Sequence, residues 1–187
     1  MGKQCCQCGK NINIFTGRKY DGNMYCISCY NDLMIKITLE KKESFQKTNQ
    51  VGSYIWVDDV HKKWLIPEGF LISDIKSSTK IYDYSDILNF ELLSNNTVVS
   101  SGGVGRALVG GVLFGGAGAI IGGLSGRKTR TKADLKIKIT LNDISQPPIY
   151  IKLINYPMDV DGFTFRTQSK NAQEILSMLD VMTQNRN

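Results

Sequence analysis

Five cysteines fall within the first 29 residues, and four of them have the types and spacing that bind metal. Cys5-x-x-Cys8 and Cys26-x-x-Cys29 are separated by 17 residues, inside the range of a four-cysteine zinc site. Zinc takes four tetrahedral thiolates, and each tight C-x-x-C turn supplies two. Cys5, Cys8, Cys26 and Cys29 are therefore the expected ligands of a structural Zn2+. A redox C-x-x-C stands alone on a βαβ framework, which two pairs at this spacing oppose. A catalytic zinc keeps an open position beside His or carboxylate ligands, and the single histidine, His61, lies far outside the cluster. Cys6 is left over as a free thiol, because Cys6-x-Cys8 has the wrong spacing.

Such a site needs knuckles and a helix to hold it. Gly9-Lys10 follows the first pair as a knuckle requires. Lys19 to Tyr25 reads as a hairpin with an Asp21-Gly22 turn. Tyr30 to Ile37 reads as the start of a helix, with the second pair at its N-terminus. Hairpin then helix around two cysteine pairs resembles a treble-clef finger, and CGK…YDGNMYCISCY resembles half of a LIM-type finger. The module runs from 1 to 47, is too small for a large core, and would take its folding energy from the metal. Lys3, Lys10, Arg18, Lys19 and Lys36 make it basic, yet no helix carries base-reading residues at regular offsets, so a protein partner is favoured over nucleic acid.

A second chemistry is written between Gly102 and Gly126. From Ala107 to Leu124 there are eighteen uncharged residues, seven of them Gly. Gly111, Gly115, Ala119 and Gly123 recur every fourth residue, so a helix would carry a smooth stripe fit for close helix–helix contact. Val112, Leu113, Phe114, Ile120, Ile121 and Leu124 surround it, whereas flexible linkers use polar residues. The flank Arg127, Lys128, Arg130 and Lys132 is expected to face an anionic surface, or else to be a solvated basic loop. The +6 net charge concentrates here and in the finger, since 102–132 carries five basic residues and no acidic one.

Around this insert the hydrophobic period is two. Tyr54–Val57, Trp64–Ile66, Lys80–Tyr84 and Ile87–Leu93 read as strands, with an Asn95-Asn96 turn after the last. Leu135, Ile137, Ile139 and Leu141 alternate with Lys136, Lys138 and Thr140; Ile149, Ile151 and Leu153 repeat the pattern, and Phe163 with Phe165 suggests a short last strand. Residues 40–52 read as helix tail and linker. A helix capped by Ser169 closes the chain, with Ala172, Ile175, Leu176, Leu179 and Met182 in one stripe. Trp56 and Trp64 are expected in the core or at the mouth of a barrel, and Asp58, Asp59 and His61 in a solvated turn.

Short antiparallel strands closed by one amphipathic helix resemble the pleckstrin-homology-like (PH-like, GRAM-like) small barrel. The chain also resembles uncharacterised proteins of Gram-positive bacteria and their phages that join a cysteine-rich finger to such a domain with a glycine insert. The carrying residues are Cys8-Gly9-Lys10, Tyr84 to Ile87 with Phe90-Glu91-Leu92, Gly102 to Gly111, Leu135 to Ile139, and Ala172 to Leu176. The resemblance implies an α+β architecture: a treble-clef-like finger at 1–47, then a PH-like antiparallel β-barrel with a C-terminal helix at 51–187, interrupted at 102–132 by a glycine-rich helical hairpin. It implies no activity.

If strands on both sides of the insert pair, its two ends lie on one side of any membrane, which excludes a single span. Two full spans need about 20 residues each, more than the insert has. The chain is therefore expected to be a non-enzymatic zinc-binding adaptor that meets a membrane surface, or itself, through the insert. The alternatives are a soluble homo-oligomeric phage or bacterial modulator of a host protein, and a nucleic-acid-binding finger. No secretory leader is visible, so a cytoplasmic location, peripheral at the inner face of the membrane, is expected. No GxSxG, Walker or HExxH motif occurs, and the glycine run puts Leu108 where a dinucleotide loop needs its third glycine, so an enzyme is not expected.

Overall fold

The computed structural model describes residues 3–13, 15–69, 75–104, 106–109 and 132–185, with only the backbone of 106–109. In the N-terminal part, β1 (Lys3–Gln4) pairs with β2 (Asn11–Ile12), and β3 (Gly17–Tyr20) with β4 (Asn23–Cys26). The β3–β4 turn is Asp21-Gly22, with φ of 45° and 77°, the two left-handed residues of a type I′ hairpin. Helix α1 (Ile27–Glu43) begins at once, with Cys26 as its N-cap residue. It is longer than the sequence suggested, and none of its residues is fully buried.

The segment expected to be a linker is structured. Asn49–Val51 forms β5, the edge strand of an antiparallel sheet completed by β6 (Ile55–Asp58), β7 (Lys63–Leu65) and β8 (Ile81–Asp83). Phe45 packs with Trp56, Leu65 and Ile75 in a small second core, so the body's packing reaches back past the start of β5. Lys41 of α1 donates to the carbonyls of Ser77 and Thr79, at 2.6 Å for Thr79, and ties the helix end to the loop before β8.

After a 310 turn at Tyr84–Asp86 comes the second sheet. Its strands are β9 (Ile87–Ser94), β10 (Thr97–Gly103), β11 (Arg106–Val109), β12 (Lys132–Leu141) and β13 (Ile149–Asp159), in spatial order β11-β10-β9-β12-β13. Along β12 the alternation read from sequence holds, with Ala133, Leu135, Ile137, Ile139 and Leu141 buried and the residues between them half-exposed. Helix α2 (Phe163–Gln184) lays Phe165, Ala172, Ile175, Leu176, Leu179 and Met182 into the core formed by both sheets. Trp64 belongs to that core and stacks on Tyr82, with ring centroids 4.7 Å apart.

Four expectations are corrected. The two sheets share no strand pairing among the described residues, so the body is two open sheets and a helix, not a closed barrel. Phe163 and Phe165 lie in the first turn of α2; an i, i+2 pair of aromatics is too short to separate the two periods, and here one ring is 85% exposed and the other 0%. The N-cap residue of α2 is Gly162, while Ser169 is buried in the helix. Finally, the glycine-rich insert does not begin as a helix: Gly102, Gly103 and Arg106–Val109 are strand. Gly103 has φ of 152°, and a Cβ there would meet the backbone of Asn89 and Leu88 at 2.7 Å, so a side chain would break the β9–β10 contact.

Candidate functional site

The four cysteines of the two pairs come together. Cys5 follows β1, and its carbonyl accepts the Gly9 N–H at 2.9 Å, with Gly9 at φ 71°, which curls the first knuckle. The Cys6 N–H donates to the Met24 carbonyl at 2.9 Å and fastens that knuckle to the β3–β4 hairpin. Cys26 ends β4, and Cys29 sits in the first turn of α1. All four Sγ atoms lie within 4.8 Å of one another.

The donor set fits a tetrahedral thiophilic ion. A metal–sulfur bond of about 2.3 Å implies sulfurs about 3.8 Å apart along a tetrahedral edge, and Cys8 Sγ and Cys26 Sγ stand 3.7 Å apart. The electrostatics agree. Hydrogen bonding from the Cys26 backbone, then from Cys8 and Gln7, holds the Cys5 thiol down at about 6 despite burial. The Cys29 backbone likewise lowers Cys26. Cys29 is pushed up to about 12 by its hydrogen bond to Cys26 and by burial. Four sulfurs this close cannot all be anionic without a cation among them, and a divalent ion removes that conflict. Cys6 lies outside the cluster and is exposed. The neighbouring Cys6 side chain raises the pKa of the Tyr25 hydroxyl.

The second candidate region is known at its roots. Gly111, Gly115, Ala119 and Gly123, and Arg127, Lys128 and Arg130 of the basic flank, lie outside the described residues; Lys132 is exposed at the start of β12. On one side of β9 stands β10 followed by β11, and on the other stands β12. β11 runs antiparallel to β10, hence in the direction of β9, toward the Asn95-Asn96 turn. β12 starts beyond that turn, since its Lys136 is already level with Leu93. The two described roots therefore belong to one sheet: Val109 ends level with Glu91 on a strand heading for that turn, and Lys132 stands beyond it on the other side of β9. That turn is pinned to the returning strand: the Asn95 N–H donates to Asp134 Oδ1, Asn95 Nδ2 to the Lys132 carbonyl at 3.3 Å, and Ser94 Oγ to the Asp134 carbonyl at 3.1 Å. Asn95 and Asn96, with φ of 48° and 61°, form another type I′ hairpin.

One polar group was misread from sequence. Asp58 is fully buried, not part of a solvated turn. Its Oδ2 accepts the Gln46 N–H at 2.8 Å and meets His61 Nδ1 at 2.7 Å, and its Oδ1 accepts the His61 N–H at 2.9 Å. Burial alone would raise its pKa, but these bonds more than offset that and hold the carboxyl below its usual range. Asp58 thus clamps the chain leaving α1 to the first sheet. The one hint in the sequence was an acid ending an otherwise apolar strand.

Comparison with known proteins follows the same outline. The chain is 24% identical over 169 residues to the immunity protein of Bacillus phage SPbeta, covering 89% of this chain and 74% of that one. It is also 24% identical over 169 residues to an SPbeta prophage-derived uncharacterized membrane protein, YomJ, of Bacillus subtilis strain 168, covering 89% of this chain and 65% of that relative. No solved structure matches the chain. The family model described as "Glycine zipper containing PH domain" matches residues 40–155, which run from the last turn of α1 to the middle of β13 and include the whole insert. With more than half its length so matched, the protein belongs to the glycine zipper containing PH domain family.

Proposed function

We propose that this protein is a non-enzymatic adaptor that docks on the inner face of the cytoplasmic membrane through its glycine-rich insert and presents a structural zinc finger to a protein partner. The observation that carries this reading is that both roots of the insert belong to the second sheet, β11 heading for the end at which β12 begins. An apolar, glycine-rich excursion that returns to the sheet it left cannot be a single span. As a bent helical pair, with Gly111, Gly115, Ala119 and Gly123 at the contact, each leg of about ten residues would reach ~15 Å, half the ~30 Å hydrocarbon core. No helix among the described residues is long and apolar enough to cross a membrane.

Zn2+ at Cys5, Cys8, Cys26 and Cys29 would fill all four tetrahedral positions with protein sulfur and leave none for a substrate, which suits scaffolding. The relatives' names point the same way: one is called an immunity protein and the other a membrane protein. We carry both to this chain as a phage-type immunity function exerted at the membrane. The test is particle size by light scattering, with and without detergent, beside flotation on anionic vesicles. The reading expects flotation and, in detergent, a single-chain particle. A defined lipid-free oligomer that ignores vesicles would instead establish self-association as the role of the insert.

A further inference from the structure

The outer face of the second sheet carries a row that its fold does not explain. In register across the sheet stand Val98, Leu93, Lys136 and Lys152. The two lysines face away from the core, because their strand neighbours, Leu135, Ile137, Ile151 and Leu153, are core residues, while Leu93 between Lys136 and Val98 is itself buried. Two lysines directly opposite across an antiparallel pair repel one another. Neither joins an ion pair among the described residues; Lys138, one row further on, is the lysine that pairs, with Glu91 at 2.9 Å. Lys136 Nζ reaches instead to Asn96 Oδ1 at 2.6 Å, toward the end of the sheet where β12 begins.

That same end is apolar as well as basic. Tyr156, in the irregular stretch of β13 between Ile154 and Met158, is 82% exposed, and Val98 is 50% exposed. Lys132 is exposed there too, opposite Asp159. The remaining acid, Asp134, is occupied by the Asn95 N–H. In sequence, no acidic residue lies between Gly102 and Lys132. Paired cations with an exposed Tyr and an aliphatic residue, beside the root of an apolar excursion, are the features of a surface that lies at a headgroup layer.

We infer that the outer face of the second sheet, centred on Lys136 and Lys152 and bordered by Val98, Lys132 and Tyr156, is the surface that rests on an anionic phospholipid bilayer and sets the protein's orientation there. This rests on the membrane reading above and adds to it a contact outside the insert. The observation favouring lipid over nucleic acid is the exposure of an aliphatic residue, Val98, and an aromatic one, Tyr156, at the same end of the sheet as the lysines.

The experiment is binding of the full chain to vesicles of mixed phosphatidylglycerol and phosphatidylcholine, against phosphatidylcholine alone, for the wild type, K136Q/K152Q, K136E/K152E and K136R/K152R. Each surface lysine is worth about fivefold in affinity near an anionic leaflet, so K136Q/K152Q should bind about thirtyfold more weakly and K136E/K152E more weakly still. K136R/K152R should retain binding, and all variants should keep the wild-type melting temperature. Equal binding by the wild type and K136Q/K152Q would overturn this face while leaving the insert as the membrane contact. Wild-type binding that ignores phosphatidylglycerol would do the same. Failure of the wild type to bind either vesicle would remove the membrane reading itself, and lysine-dependent retention on an oligonucleotide without vesicle binding would reassign the face to nucleic acid.

Discussion

Cys26 ends a strand, opens a helix and offers a sulfur to the cluster at once, so its loss should uncouple all three. Cys26→Ser is expected to abolish stoichiometric zinc, measured by metal analysis with thiol counting, and to unfold the finger, because the metal supplies about 10 kcal/mol or more in such sites. The melting of the two-sheet body should stay in place. The cluster of four cysteines was legible in sequence because C-x-x-C spacing is local geometry. Asp58 was not, because its partner Gln46 is twelve residues away and its burial depends on tertiary packing. Asp58→Asn should cost about 1–3 kcal/mol in denaturant melts, by leaving N–H groups poorly matched. The pH dependence follows from the lowered carboxyl: its contribution is fully present above the ordinary value of 3.8 and is lost as pH falls through the lower folded value. The stability gap between wild type and Asp58→Asn should therefore shrink in acid below about pH 4, and a gap that is constant from pH 7 to that range would contradict the clamp.

Elements were read well where one face is wet and poorly where both periods fit. β12, with five inward and several outward residues in strict alternation, was plain; β10, TVVSSGG, was missed because its inward positions are small or polar. The start of α2 was misplaced for a related reason: Ser169 has the chemistry of a cap, but the helix had already begun after Gly162. Ser169 Oγ is buried with no hydrogen-bond partner among the described residues. Ser169→Ala should therefore be neutral or slightly stabilising in thermal melts, where loss of a true N-cap would cost about 1 kcal/mol. Gly103→Ala should behave oppositely. With φ at 152° and backbone atoms at 2.7 Å from the would-be Cβ, it should destabilise the body by about 2–3 kcal/mol. The glycines at the start of the insert thus serve the sheet, whatever those further along serve.

At the scale of the whole molecule, the expectation that strands before and after the insert share one sheet is met by β9 pairing with β12, and that pairing fixes where 110–131 can go. Long-range pairing of this kind is not visible in any window of sequence; it entered as a condition, through the resemblance to a PH-like domain interrupted by the insert. The same registers set a linker length. Val109 is level with Lys138 through Ser101 and Glu91, so the roots stand three strands and six residues of rise apart, or about 25 Å, which ten extended residues can cover. Replacing 110–131 by a ten-residue Gly/Ser linker should therefore leave the zinc content and the melting of the body unchanged. The central claim is tested most directly by flotation of that variant on anionic vesicles. The account predicts that a folded, zinc-loaded deletion variant stays at the bottom of the gradient while the wild type rises; a deletion variant that rises as well as the wild type would contradict it.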